Sequence, residues 1–355
     1  MAREIGIDLG TANVLIHLKG HGIVLNEPSL VAVDKTNDEI VAIGKEAREM
    51  IGRTSQSIEV IQPLKGGVIS DFALTEAMLV LFFERIYQRQ LFSRPDVLIC
   101  APTNVSEVEK IALVEAMQQL GAGNIFVEEE AKIAGIGAGI DILNASGNMV
   151  IDIGGGTTDI VVLSGKDIVA SESIKLAGDD FDQRIIQFIQ DQDQLLIGQR
   201  TAEAAKCAIA SATLLTDKEL VSYEVKGRDL VSGLPRAINI DSNDIYLALR
   251  DQLIIIARTA KRVLESVPPE LQADIFERGV MLTGGGAMIY NMDSFLSHHL
   301  AVTVIKAEQP MSCVAIGSGL MLDLIKNGDL ETLSSNNKRS IWQRFTKWWR
   351  TRLGI

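Results

Sequence analysis

The sequence predicts an α/β fold made of two copies of one domain facing each other across a cleft, and three observations carry that prediction. The first is an internal repeat: Ile5-Gly6-Ile7-Asp8-Leu9-Gly10-Thr11-Ala12-Asn13 recurs as Val150-Ile151-Asp152-Ile153-Gly154-Gly155-Gly156-Thr157-Thr158-Asp159, with one residue inserted in the second glycine turn. In each copy an apolar strand bearing one aspartate runs through a tight turn into a second apolar strand, and two strands joined by so short a link must be an antiparallel hairpin. The second observation is that period-2 and period-3.6 segments alternate around both hairpins, as an α/β protein requires. The third is size, because 355 residues suffice for two ordinary cores. Repeat units of this length that meet at equivalent hairpins imply a duplicated domain.

Local signals place the elements between the hairpins. Apolar residues at Met78, Leu81, Phe82 and Ile86 predict a helix over 72–88, with Thr75 near its start. Ser106 and Glu109 form a capping box, and Gly121 closes the helix that it opens. In the second half, Asp179 or Asp180 is expected to cap a helix through Phe181, Ile185 and Ile189. Further helices are predicted over 202–213 and 242–265, the latter stopped by Pro268-Pro269, which starts a short helix to Arg278. A strand over 280–282 leads into Gly284-Gly285-Gly286. The more polar stretches 33–63 and 190–240 read as small subdomains. The first large domain then comprises 1–32, 64–145 and 315–335, and the second comprises 146–189 and 241–314, with a basic tail at 336–355.

Composition narrows the function classes. The longest apolar run, Ala77 to Phe83, is far shorter than the roughly 18 residues a spanning helix needs. Arg3 and Glu4 lead straight into a strand, so no secretory signal is expected and the chain is placed in the cytoplasm. Cys100, Cys207 and Cys313 are far apart and odd in number, the pattern of reduced core thiols. His17, His21, His298 and His299 show no ligand spacing. The net charge of −12 is uneven: residues 336–355 hold six cations and no acid, which leaves −18 for the rest. An acidic body repels nucleic acid, so no nucleic-acid partner is expected.

The chemistry concentrates in the glycine turns. Three of them, Gly10-Thr11-Ala12-Asn13, Gly154-Gly155-Gly156-Thr157 and Gly284-Gly285-Gly286, follow strands and can offer backbone N–H groups to phosphate oxygens. Each alone is a weak signal, since most glycine turns are only turns. Asp8 and Asp152 at matching repeat positions strengthen it, because Mg²⁺ bridging nucleotide phosphates needs carboxylates there, acting through water. Glu203 and Lys206 lie three apart on one helical face, either as a surface ion pair or as ligand contacts.

Taken with Leu282-Thr283, these turns resemble the phosphate-1, phosphate-2 and adenosine motifs of the actin, sugar kinase and heat-shock chaperone superfamily. Longer stretches, among them Asn26-Glu27-Pro28-Ser29, Gly67-Val68-Ile69 before Asp71, Ser146-Gly147-Asn148-Met149, Ala177-Gly178-Asp179 and Ser232-Gly233-Leu234-Pro235-Arg236, are similar to MreB-family sequence from about residue 3 to 330. The resemblance implies an actin-like (duplicated ribonuclease-H-like) fold holding ATP and Mg²⁺, filament assembly as paired protofilaments, and control of cell shape through membrane-bound wall-synthesis proteins. It assigns Glu130 as the catalytic carboxylate and Thr157 as the hydroxyl that orients water, and it gives Glu203 and Lys206 ribose and adenine contacts. Without it, Glu128-Glu129-Glu130 would read as a solvated acidic patch. A metabolic kinase of the same fold is the alternative, although no added substrate domain is evident.

Two departures from the family pattern bear on rate. Ala131 stands where a proline usually follows the catalytic glutamate, and Lys132 places an ammonium within a turn of it, so hydrolysis is expected to be slow. Asp159 replaces the usual glutamate, a change expected to be tolerated.

Two segments point to a membrane. On a helix Ile341, Trp342, Phe345, Trp348, Trp349 and Leu353 share one face, with Lys338, Arg344, Lys347 and Arg350 mostly opposite or at its edges, which is the composition of an interfacial helix on an anionic inner leaflet. A helix that binds a partner or docks on the protein's own body is the alternative. Leu91 and Phe92, between arginines, occupy the position of a small hydrophobic loop in the family.

Overall fold

A computed structural model of the chain describes residues 4–86, 94–101 and 105–328. Leu91, Phe92, Trp342, Phe345, Trp348 and Trp349 lie outside the described residues. No described helix is long and apolar enough to cross a membrane.

Two five-stranded sheets form the frame, and they repeat one topology. In the first, Gly22–Pro28, Asn13–Leu18 and Glu4–Leu9 run antiparallel in that order, and Asp96–Ala101 and Ile125–Glu129 then add parallel to Glu4–Leu9. In the second, Asp167–Ile174, Thr158–Ser164 and Gly147–Ile153 are antiparallel, followed by the parallel strands Val280–Thr283 and Val304–Lys306. The repeat therefore extends beyond the hairpin, and both hairpins take the expected antiparallel pairing. Asp8 and Asp152 sit near the same end of equivalent central strands. A three-stranded sheet of Val31–Asp34, Glu39–Ile43 and Ile58–Ile61 lies in the first polar stretch, and another of Leu195–Leu196, Ser222–Asp229 and Pro235–Asp241 lies in the second.

The helices follow the local signals with informative exceptions. The capping box of Ser106 and Glu109 opens Glu107–Gln119, and the long helix spans Ser242–Ser266. The helix predicted over 202–213 is instead Gln199–Ile209, because the Ser211 hydroxyl bonds back to Thr213 O and N and turns the chain away. Neither Asp179 nor Asp180 caps Gly178–Asp193; both lie in its first turn. The N–H groups of Gly178 and Asp179 instead donate to Gly154 O (3.2 Å) and Gly155 O (2.8 Å), so the glycine turn does the work of a cap. Cys100 and Cys313 are buried as expected, whereas Cys207 is exposed on the Gln199–Ile209 helix.

Each sheet has its own apolar core, and a third cluster lies between them around Glu130–Gly137 and Cys313–Asn327. These two helices cross with their backbones touching. A Cβ at Gly137 would lie 1.8 Å from Cys313 O, and one at Gly317 would lie 2.0 Å from Ile133 O. Only glycine permits that approach.

Candidate active site

The two hairpin turns meet at the centre of the molecule. A Cβ built on Gly155 would fall 2.6 Å from the Ala12 Cβ, and one on Gly156 would fall 2.7 Å from the Thr11 Cγ2. Several carbonyls of both turns are engaged from outside. Ser29, fully buried, donates from Oγ to Gly10 O (2.6 Å) and from N to Ala12 O (3.0 Å), and Gln62 Nε2 donates to Thr11 O (3.0 Å). In the second turn Gly154 O and Gly155 O accept from Gly178 and Asp179. Carbonyl dipoles repel phosphate, so a turn with its carbonyls occupied elsewhere is suited to binding an anion through N–H groups. Asn13 opens the second strand, and its carbonyl packs so closely on Gly10 that a Cβ there would lie 2.7 Å away.

The third turn closes the same point. Gly284 has φ +81° and would place a Cβ 2.3 Å from Asp152 Oδ1, so the turn lies against that carboxylate; Gly285 and Gly286 begin the short 3₁₀ segment Gly285–Met288.

Four carboxylates share this centre. Burial and then Asp152 push Asp8 up to about 8, and burial and then Asp159 push Asp152 up to about 7. Glu130, at the first position of Glu130–Gly137, is held well above the usual carboxylate range by burial and by Asp8, Asp152 and Asp159. Asp8 Oδ1 is buried with no hydrogen-bond partner. An orphaned Asp8 oxygen among carboxylates that raise one another's pKa fits a cation, which would supply positive charge there. Among the described residues no three His, Cys, Asp or Glu side chains are grouped to ligate a metal directly.

The partner of Lys132 is Glu128. The two pair at 3.0 Å, and Glu128 lies in the preceding strand Ile125–Glu129 and not on the helix. Thr157 is buried beside the first turn and Gly67.

Glu203 and Lys206 do not pair with each other. Glu203 reaches Arg48 of Lys45–Met50 at 2.5 Å, a contact between the two small sheets' surroundings. Lys206 bonds Asp182 and Gly178 O, each at 2.8 Å, and so sits behind the second glycine turn. Sequence reasoning missed Gln62, Asp182 and Arg48, whose roles arise only from contacts far apart in the chain; Gln62 also reaches Asp179 at 3.4 Å.

Comparison with known proteins agrees with this architecture. The sequence profile of the MreB/Mbl protein family matches residues 2–329. The chain is 54% identical over 322 residues to the cell shape-determining protein Mbl of Bacillus subtilis, covering 91% of this chain and 96% of that one. It is 44% identical over 337 residues to the cell shape-determining protein MreB of Escherichia coli, covering 93% and 96%. Among solved structures, MreB5 of Spiroplasma citri bound to ADP superposes with a TM-score of 0.87 at 38% identity, covering 92% of this chain and 98% of that one, and the same protein bound to AMPPNP gives the same values. The MamK double helical filament subunit, with a TM-score of 0.75 at 21% identity over 91% of this chain and 99% of that one, shares the fold. Paired hairpins, a duplicated sheet topology and a profile match across nearly all of its length make this chain an actin-like member of the MreB/Mbl family.

Proposed function

We propose that the chain is an ATPase of the bacterial cytoskeleton: it binds ATP with Mg²⁺ between its glycine turns, assembles into filaments of paired protofilaments, and governs cell shape from the inner face of the cytoplasmic membrane by organising wall synthesis. The observation that carries the nucleotide reading is the convergence of three glycine turns on Asp8, Asp152 and Glu130, with Asp8 Oδ1 buried and without a hydrogen-bond partner. The names of the relatives support a role in cell shape, and MreB5 with ADP or AMPPNP supports an adenine nucleotide as ligand.

In this reading Gly10 to Asn13 and Gly154 to Thr157 hold the phosphates through backbone N–H groups. Asp8 and Asp152 hold the cation through water, and when bound it supplies positive charge to both carboxylates and phosphates. Ionised Glu130 would accept a proton from the attacking water while the Thr157 hydroxyl orients that water. Lys206 fixes the second turn through Gly178, and Glu203 exchanges Arg48 for the ribose. Trp342, Phe345, Trp348, Trp349, Leu91 and Phe92 are the proposed membrane contacts.

The test is pelleting and electron microscopy of the purified chain with Mg²⁺ and ATP, alongside phosphate release. ATP-dependent filaments with slow release of phosphate are expected. A monomer that phosphorylates a small hydroxyl or carboxyl compound overturns the reading in favour of a metabolic kinase.

A further inference from the structure

Gly66 and Gly67 form the tip of a two-residue hairpin between Leu64–Lys65 and Val68–Ile69, with φ of +56° and +68°. Such a tip needs positive φ at both positions. It is also docked on both halves of the molecule. The Gly67 N–H donates to Thr11 Oγ1 in the first glycine turn at 3.2 Å, a buried bond. On the other side Gly67 meets the second turn: a Cβ there would lie 2.2 Å from Thr157 Cγ2, 3.3 Å from its Cβ and 3.2 Å from its Oγ1. The Thr157 methyl therefore fills the space that any side chain at position 67 would need. Gly66 differs, since a Cβ there would make only an ordinary 3.6 Å contact with Lys175 Cδ.

We propose that Gly67 is a positioning residue that locks the Thr157 rotamer, with its bare Cα receiving the Thr157 methyl so that the hydroxyl faces the cleft. The inference rests on the assignment of Thr157 to water orientation. A β-branched side chain has few staggered positions, so displacing its methyl by a whole well moves Oγ1 by on the order of 2 Å. A misplacement of about 1 Å can cost about 100-fold in rate. Because the same tip bonds Thr11, it also ties the aim of Thr157 to the position of the first turn.

The test is a double-mutant cycle in the full chain, read as single-turnover phosphate release and as affinity for a fluorescent ATP analogue. Gly67→Ala should slow release at least about tenfold and change affinity less than about threefold. In the Thr157→Ser background, where the obstructing methyl is gone, the same substitution should cost no more than about threefold. Gly66→Ala imposes similar backbone strain without touching Thr157 and should stay within about twofold. Folding of Gly67→Ala only in the Thr157→Ser background reports the same coupling. Equal losses in both backgrounds, unfolding in both, or a Gly66→Ala variant as slow as Gly67→Ala would leave strain as the whole effect and overturn the proposal. Thr157→Ala separates the two ideas: unchanged release in that variant removes Thr157 from the reaction, whereas a large loss there with no coupling to Gly67 overturns the positioning role alone.

Discussion

Asp8→Asn should stabilise the nucleotide-free protein, although it removes a carboxylate assigned to the site. Asp8 rises from an ordinary 3.8 to about 8 in the folded chain. Each pKa unit is about 1.4 kcal/mol, so an ionised Asp8 opposes folding by on the order of 5 kcal/mol above pH 8. The folded state binds this proton more tightly than the unfolded state, so the contribution of Asp8 to stability falls as pH rises from about 4 to about 8. Asp8 and Asp152 titrate together, and a neutral amide relieves about half of the burden. The expected gain is about 2 to 3 kcal/mol at pH 8 and about a third of that at pH 5. That gain should raise Tm by about 3 to 4 °C at pH 8. Thermal unfolding in a chelator, at both pH values, measures it. Saturating Mg²⁺ and ATP, at about 100 times Kd, should then raise the parent by about 2.7 kcal/mol and the variant far less. A variant less stable than its parent at pH 8 without nucleotide, or a gain no larger at pH 8 than at pH 5, refutes the reasoning.

Other outcomes follow from the same centre and from the tail. Glu130→Ala should slow phosphate release at least about tenfold, or about 1.4 kcal/mol of barrier, with binding nearly intact by fluorescence titration; equal rates would show that Glu130 is not the base. Lys206→Met strands the nearly buried Asp182 and should destabilise by about 3 kcal/mol in chemical denaturation at pH 8. Because burial already lifts Asp182 to about 6, protonation should shrink that defect at pH 5. Removing residues 338–355 should abolish most co-sedimentation of the monomer with anionic liposomes at low salt, and full-length binding should weaken as salt screens the cations. Truncated monomer that binds as well as the full chain would assign the tail to a partner or to the body.

The repeat was legible because its signal is local: an aspartate and a glycine turn inside an apolar hairpin identify both central strands at once. Boundaries governed by distant groups were not. Asp179 and Asp180 carry the usual sign of a helix cap, yet the carbonyls of Gly154 and Gly155, over twenty residues earlier, satisfy those N–H groups. Gln62 and Thr11 are 51 residues apart, and no local pattern announces their bond. Lys132 pairs with Glu128 across a strand-to-helix junction, where a helical spacing rule does not apply. Cys207 reads as apolar by type and is exposed because its neighbours Ala205 and Ile209 take the inner face.

The bare crossing of Glu130–Gly137 and Cys313–Asn327 gives the molecule a fulcrum. Helices in backbone contact, with Gly137 and Gly317 leaving no side chain to compress, can swivel more easily than they can separate. Points near a pivot travel least, and Glu130 heads one of the two helices that form it. Arg48 and Glu203, on the helices Lys45–Met50 and Gln199–Ile209, form an ion pair away from that crossing. If the proposed function holds, a swivel that admits or releases a nucleotide would part Arg48 from Glu203 while Glu130 stays almost still, so its aim need not be rebuilt each time.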